Sequence, residues 1–512
     1  MHCNLWKIYL MLLHGFDRDQ ALLFTSIGDF VSDDNYVRSI DFVVDYIVDE
    51  KLIEFEYKGN INDGRPAYPF SSLIKLYIYG YINRIKSSRA LANECKRNLE
   101  LIWLLRGLSP EFRTIAYFRK NYSSIISKFN KLFKKKLIEL NLINTTVAID
   151  GSKFKANANK DMISRKATLE QMKRINITME QYLSTLDRID QGESEESPED
   201  LSKEELEHKI SSLENKLQEL NTYLSKMDSL GKNHLSTTDI DCNLMKSRDG
   251  FIPAYNVQLG VETKNHFIMG EYVSQSANDI NELEPMIEEI FEETEIKELT
   301  SLTDAGYPDL DTIQRLESNE NINCYSYLPP SQVDKNFQYD SERDVYICPM
   351  GKDLTRLDIK KRNPESHVIR YRCKECNDCP MKKECTSSEH GREINRFSNQ
   401  EYRDNYRKRM SEKASQEKLS KRKSVVEHVF GNLKVTGGKI PLLLRGQSDV
   451  STEIKLYVLG YNMKRLLTLF SYKELLQAFS QLKAKTAEKA QFINFLVLIM
   501  DNYRHKFAFM IS

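Results

Sequence analysis

Three carboxylates in this 512-residue chain stand where a hydrophobic core has little use for them. Asp150 closes the β-branched run Thr145-Thr146-Val147-Ala148-Ile149, and Asp304 closes the short apolar run Leu299-Thr300-Ser301-Leu302-Thr303. Glu427 lies in Val425-Val426-Glu427-His428-Val429-Phe430, on the expected buried edge of a basic helix. Singly, an aspartate after a strand is an ordinary turn former. Three carboxylates delivered by two strand ends and a helix suit a pair of divalent cations, because Mg²⁺ prefers oxygen ligands and keeps positions for water and phosphate. Two such ions, about 3.5–4 Å apart, activate a hydroxyl and stabilise the leaving oxygen of an in-line displacement at phosphorus. Asp239, Asp241 and Asp279 compete for the metal, but they follow polar runs and rank as supporting or structural groups. His428 beside Glu427 reads as a surface histidine rather than a ligand.

A second cluster is made of sulfur. Of nine cysteines, four fall in the thirteen residues Cys373-x2-Cys376-x2-Cys379-x5-Cys385, which suits a structural Zn²⁺ site in a reducing compartment better than a disulfide framework. The spacing departs from the ferredoxin run, which has three residues before its last cysteine. Free thiols are the alternative, and Cys348 before Pro349 is a substitute ligand.

The elements that must position these groups follow from periodicity. With 40% hydrophobic and 29% charged residues the chain is globular, and no uncharged run approaches the roughly 20 residues a bilayer demands. Leu5 to Phe16 is interrupted by Lys7 and His14 and reads as an extension, not an address. Equal totals of 74 basic and 74 acidic side chains argue against a DNA partner only if evenly spread, and they are not. Tyr81 to Leu140 holds 14 basic and 4 acidic side chains, and Arg403 to Lys434 ten basic ones. Acid dominates Glu193 to Glu219 and Asp279 to Glu298.

Residues 1–37 read as an N-terminal extension and 38–140 as an all-α DNA-binding domain of short helices, with one helix starting at Ser109-Pro110-Glu111 and ending in the basic run Lys131 to Lys136. Its candidate DNA contacts are Arg89, Arg97, Arg113, Arg119 and Lys120. An α/β domain over 141–470 carries strands at Thr145–Ile149, Tyr255–Glu262, Phe267–Val273 and Leu299–Thr303, with a helix at Ile280–Glu293. Two insertions interrupt it: a helical hairpin over 165–235, with a coiled-coil seam from Leu206 to Met227, and a Cys-rich segment over 331–397. A C-terminal helical tail spans 471–512.

Ala148-Ile149-Asp150-Gly151-Ser152-Lys153, Thr303-Asp304-Ala305-Gly306-Tyr307 and Val426-Glu427-His428-Val429-Phe430-Gly431-Asn432-Leu433-Lys434 resemble the three catalytic blocks of DDE transposases of bacterial insertion sequences. Gly64-Arg65-Pro66, Tyr79-Gly80-Tyr81, Arg97-Asn98-Leu99-Glu100 and Phe112-Arg113-Thr114-Ile115 resemble the helical N-terminal domain of that family, and Thr238-Asp239, Tyr255-Asn256-Val257-Gln258 and Asn278-Asp279 resemble further blocks of its catalytic domain. The resemblance implies a ribonuclease-H-like (integrase-like) fold in which Asp150, Asp304 and Glu427 bind two Mg²⁺ or Mn²⁺ ions. It further implies DNA cleavage at terminal inverted repeats, joining of 3′ ends to target DNA, a homodimer in the active complex, and a cytoplasmic, nucleoid-associated bacterial protein with no membrane partner. Lys434 fits the family's phosphate-contacting lysine by its spacing from Glu427, while Arg422 and Lys423 share the place of the preceding arginine, and Ser420 replaces a tyrosine that some relatives carry. A catalytically silent DNA-binding regulator and a nuclease of the same fold are the alternatives.

Overall fold

The computed structural model describes residues 26–49, 67–159, 162–190, 202–247, 250–307, 309–328, 337–361, 366–437 and 442–484. The early apolar stretch, the turn before Pro66, the loop and cap read around 191–200, the onset of the Cys-rich segment and the tail beyond 484 lie outside the described residues.

Among the described residues six α-helices precede the first strand: α1 (Tyr36–Asp49), α2 (Phe70–Ile82), α3 (Ser88–Arg97), α4 (Leu99–Leu104), α5 (Phe112–Asn121) and α6 (Ser123–Glu139). Val37, Ile40, Val43, Val44 and Ile47 recur at helical spacing, and all are buried on one stripe of α1. Side chains set the starts of α3 and α4: Ser87 Oγ accepts from Ala90 N at 3.4 Å, and Asn98 Oδ1 from Glu100 N at 3.0 Å. The single helix expected from Pro110 to the lysine run is two. Helix α5 begins after Glu111, and the chain leaves helical geometry at Tyr122 (φ −112°, ψ 31°). That break lets Ile115 and Phe118 on one side, and Ile126, Phe129, Phe133 and Leu137 on the other, reach the same core.

The central sheet contains β1 (Thr146–Lys155), β4 (Asn243–Ser247), β5 (Gly250–Glu262), β6 (Ile268–Ser274), β7 (Leu299–Thr303) and β8 (Ile322–Ser326). Its order is β4-β5-β1-β7-β8, with β6 also pairing β5; β5 lies antiparallel to β1, β4 and β6, while β1, β7 and β8 are parallel. Between β1 and β4, the short pair β2 (Ile163–Ser164) and β3 (His234–Leu235) closes the base of two long helices, α7 (Arg165–Asp190) and α8 (Lys203–Ser229). Ser202 and Glu205 form a reciprocal capping box at the start of α8, and Leu206, Ile210, Leu220 and Met227 are the seam residues it buries. The parallel crossovers run through α9 (Leu283–Thr294) and α10 (Leu310–Leu316).

After β8 comes an antiparallel five-stranded sheet of order β13-β12-β11-β10-β9: β9 (Gln338–Asp340), β10 (Val345–Ile347), β11 (Asp353–Lys361), β12 (His367–Arg372) and β13 (Glu393–Phe397). The chain then returns through α11 (Gln400–Ser411), α12 (Lys413–Gly437) and α13 (Gln447–Leu469), followed by helical residues 472–484.

One face of the central sheet packs on α9, α10 and α11. The other joins α1–α6, α12 and α13 in one core running from Val31 to Phe479, so the expected boundary at residue 140 is not a packing boundary. Polar chemistry fastens the same junction. Lys134 Nζ, fully buried on α6, lies 2.6 Å from Glu271 Oε2 on β6 and 2.9 Å from Glu293 Oε2 on α9. Asn130 donates to the other oxygen of Glu271 at 2.7 Å, and Lys455 on α13 reaches Glu293 at 3.2 Å. Burial pushes the Glu271 carboxyl up to about 7 against the pull of Lys134 and Lys455. Removing the lysine leaves Lys455 alone to face two buried carboxylates, so Lys134→Ala should destabilise the fold by about 3–5 kcal/mol in chemical denaturation, while Lys135→Ala, whose half-buried side chain pairs with Glu295, should cost at most about 1 kcal/mol.

Candidate active site

Strand register brings the two aspartates together. Ala148 on β1 pairs with Leu302 on the parallel neighbour β7. Asp150, expected to end its strand, stands midway along β1, and Asp304 lies just past β7; each is two residues beyond that pair, at the edge of the β1–β7 pairing and on one face. Asp150 Oδ1 accepts from the Gly151 amide at 3.0 Å. Burial raises the Asp150 carboxyl to about 6; Arg422 pulls it down, and Asp304 and Asp279 push it up.

Glycine after Asp150 is a requirement of close approach. A Cβ at Gly151 would stand 2.2 Å from Gln258 Nε2 and 2.5 Å from Asp279 Oδ1. Asn256 and Gln258 project from β5 at a spacing of two, and both donate to Asp279 Oδ1, at 2.7 and 2.6 Å. The buried Tyr307 hydroxyl donates to Gln258 Oε1, and Lys153 Nζ lies 3.8 Å from Asp279. Asn256 and Gln258 are the sequence signal of this polar wall behind Asp150: two amides alternating through a largely apolar strand. Asp239 and Asp241 have structural work. Asp239 accepts from Tyr255 Oη at 2.7 Å, and Asp241 from the Gln447 amide at 2.8 Å, pinning the start of α13.

Helix α12 lies across this edge and buries Val425, Val426, Val429, Phe430 and Leu433. Arg422 shares the stripe and is buried, with Nη1 3.4 Å from Asp150 Oδ2 and Nη2 3.8 Å from Asp304 Oδ2. Its Nε and Nη1 make no hydrogen bond, so the guanidinium meets the carboxylates by charge alone. Arg422 was expected on DNA phosphates; here it bridges the aspartates. Glu427, expected on the buried edge, is 65% exposed and lies 3.9 Å from Lys423. Five helical residues turn about 140° beyond a full revolution, so Arg422 and Glu427 cannot face the same edge together. Among the described residues, no three His, Cys, Asp or Glu side chains stand close enough to hold a metal. Asp150 and Asp304 fit one face of a cation site, with the Arg422 guanidinium between them as the cation present, and Glu427 does not converge with them.

The remaining candidates divide by exposure. Arg89, Arg97, Arg113 and Lys120 are exposed on α3 and α5; Arg97 pairs with Glu94, and Arg89 lies over the Phe112 ring at 5.1 Å. Arg119 is 5% exposed and donates to the Lys86 carbonyl at 3.4 Å, so it braces the core instead of presenting a surface to DNA. Lys423 and Lys434 are exposed on α12, Lys434 at 5.6 Å over the Phe154 ring. His428 is exposed beside Asn432. Cys373, Cys376, Cys379 and Cys385 line one cavity far along the chain from the carboxylates, together with Cys348.

Two comparisons carry family information. Residues 347–467, which include Arg422, Glu427 and Lys434, match the family described as a transposase DDE domain, and residues 25–121 match a transposase domain that covers the helices α1–α5. No curated protein matches the chain. A DDE domain implies a ribonuclease-H-like fold, in keeping with the mixed sheet in which Asp150 lies within β1 and Asp304 just after the parallel β7. Both matched domains are transposase domains, over 121 and 97 of the 512 residues.

A carboxyl raised on folding keeps its proton better in the folded than in the unfolded chain, so its ionisation costs stability as pH rises from about 4 toward 6 and above. Asp150→Asn should therefore be at least as stable as the parent at pH 7.5, by roughly 1–3 kcal/mol, with the difference vanishing below pH 4 when thermal melts are compared across pH.

Proposed function

We propose that this transposase binds the terminal inverted repeats of its element as a homodimer, cleaves there, and joins the freed 3′ ends to target DNA. The observation that carries the proposal is the Arg422 guanidinium lying between Asp150 and Asp304: two carboxylates from neighbouring parallel strands already arranged around positive charge. Asp150, Asp304 and Glu427 would hold two Mg²⁺ or Mn²⁺ ions, which when bound supply an activated nucleophile and neutralise charge at phosphorus.

The chain's own residues set up the rest. The Gly151 amide holds Asp150, and the Asn256–Gln258–Asp279 wall packs against Gly151 beside it. Arg422 must withdraw for ions to enter, and Glu427 must approach Asp150 and Asp304 to join them in holding the ions. Lys423 and Lys434 would meet phosphates near the cut, and Arg89, Arg97, Arg113 and Lys120 the flanking duplex; these contacts would weaken with salt. Paired-end cutting calls for two copies in the complex. The reaction belongs beside the nucleoid in the cytoplasm, and among the described residues no helix is long and apolar enough to cross a membrane.

Glu427's exposure favours one other reading, a catalytically silent regulator. The deciding assay incubates purified protein with inverted-repeat DNA and Mg²⁺ or Mn²⁺. Cleavage that depends on metal, and that Asp150→Asn lowers by about a hundredfold or more while end binding persists, is the expected result. Equal cutting by the variant removes Asp150 from catalysis; end binding without cutting by the parent protein supports the regulator. Cutting without joining of 3′ ends identifies a nuclease.

A further inference from the structure

The five-stranded sheet after β8 has very little core of its own. Among the described residues its buried cluster consists of six, Phe337, Tyr346, Leu354, Tyr371, Cys373 and Ile394, for five strands and a long connection between β12 and β13 that holds a 3-10 turn and a single helical turn. Segments this poor in buried apolar surface usually depend on a cross-link or a metal. The described cysteines carry no disulfide.

Five thiols stand around one cavity of about 280 Å³: Cys348 from the turn between β10 and β11, and Cys373, Cys376, Cys379 and Cys385 from the connection after β12. The backbone around two of them is already shaped for sulfur bearing negative charge. The Lys352 amide donates to Cys348 Sγ at 3.3 Å, across a tight Cys348-Pro349-Met350-Gly351 turn in which Gly351 takes φ +70°. The Arg392 amide donates to Cys376 Sγ at 3.3 Å. Gly391, at φ +90°, permits that approach, since a Cβ there would stand 2.8 Å from the Cys373 carbonyl and 3.0 Å from Cys376 Cβ. Two amide-to-sulfur bonds from two separate turns stabilise thiolates and aim them into a shared space. Cys348, Cys376 and Cys385 pack against the small core that contains Cys373, whereas Cys379 is outside it.

We propose that Cys348, Cys373, Cys376 and Cys385 bind one structural Zn²⁺ that fastens the β10–β11 turn to the β12–β13 connection. Four thiolates match the tetrahedral preference of zinc, and binding releases the thiol protons to solvent. The linear run of four cysteines is thus divided: Cys348, some 25 residues upstream, supplies the fourth ligand, and Cys379 stays outside the coordination sphere. Among the described residues no three of these side chains yet share a coordination sphere, so the ion draws the sulfurs inward, as where metal binding and folding are coupled. The proposal does not depend on transposition.

The test uses full-length protein purified without chelator. Elemental analysis should find one zinc per chain, and alkylation followed by mass spectrometry should leave Cys348, Cys373, Cys376 and Cys385 protected while Cys379 reacts; a chelator should then open all four together. Cobalt-exchanged protein should show sulfur-to-metal charge-transfer absorption that Cys348→Ser weakens by at least tenfold at limiting cobalt and Cys379→Ser leaves unchanged. Because the labelling pattern is read on unaltered protein, misfolding of a variant does not obscure the answer. Absence of zinc together with absence of the cobalt–thiolate band, or bound zinc with Cys348 freely alkylated, would overturn the proposal.

Discussion

A fully buried ammonium holds the molecule together. Lys134 sits between Glu271 and Glu293, and with Asn130 and Lys455 it joins α6, β6, α9 and α13 at one point. Charges taken out of water persist only when closely paired, because the desolvation of each is several kcal/mol. The network therefore sets where the helices before β1 must lie against the sheet, and the apolar core around it is continuous across the two regions. It also uses up charge. Of the basic side chains between Tyr81 and Leu140, Lys86, Arg119, Lys134 and Lys136 are buried, so the cationic surface offered to a polyanion is smaller than the count of 14 suggests.

The active edge hangs on that frame. Parallel pairing of β1 with β7 places Asp150 and Asp304 side by side, and the amide wall from β5 leaves room behind Asp150 only for a glycine. Two neighbouring carboxylates with one of them buried repel each other, and Arg422 supplies the compensating charge. The same helix carries Glu427 on a different face, so a single element both neutralises the aspartates and holds the third carboxylate away from them.

Much of this was legible in the sequence. Strand periods located β1 and β7, although β1 runs on past Asp150 to Lys155; the apolar run Leu299–Thr303 is the strand, and Val425, Val426, Val429 and Phe430 are the stripe α12 buries. The helical stripe of α1 was equally plain. Composition and periodicity decide such features because side-chain hydrophobicity and the geometry of one helix or strand are local properties.

What tertiary structure alone decided are the partners of charged groups. Lys134 and Lys131 belong to one basic run, yet one is buried between two carboxylates and the other reaches Glu295 at the surface. Arg119 and Lys120 are neighbours in sequence with opposite exposures. Arg422 and Glu427 lie five residues apart in a motif that a linear reading assigns to one site, and the rotation of α12 separates them. Cys348 joins the other thiols only because β10, β11 and β12 fold its turn onto their connection. Residue type shows that a charge or a thiol needs a partner; the three-dimensional path of the chain determines which partner it meets, since those contacts join segments tens to hundreds of residues apart.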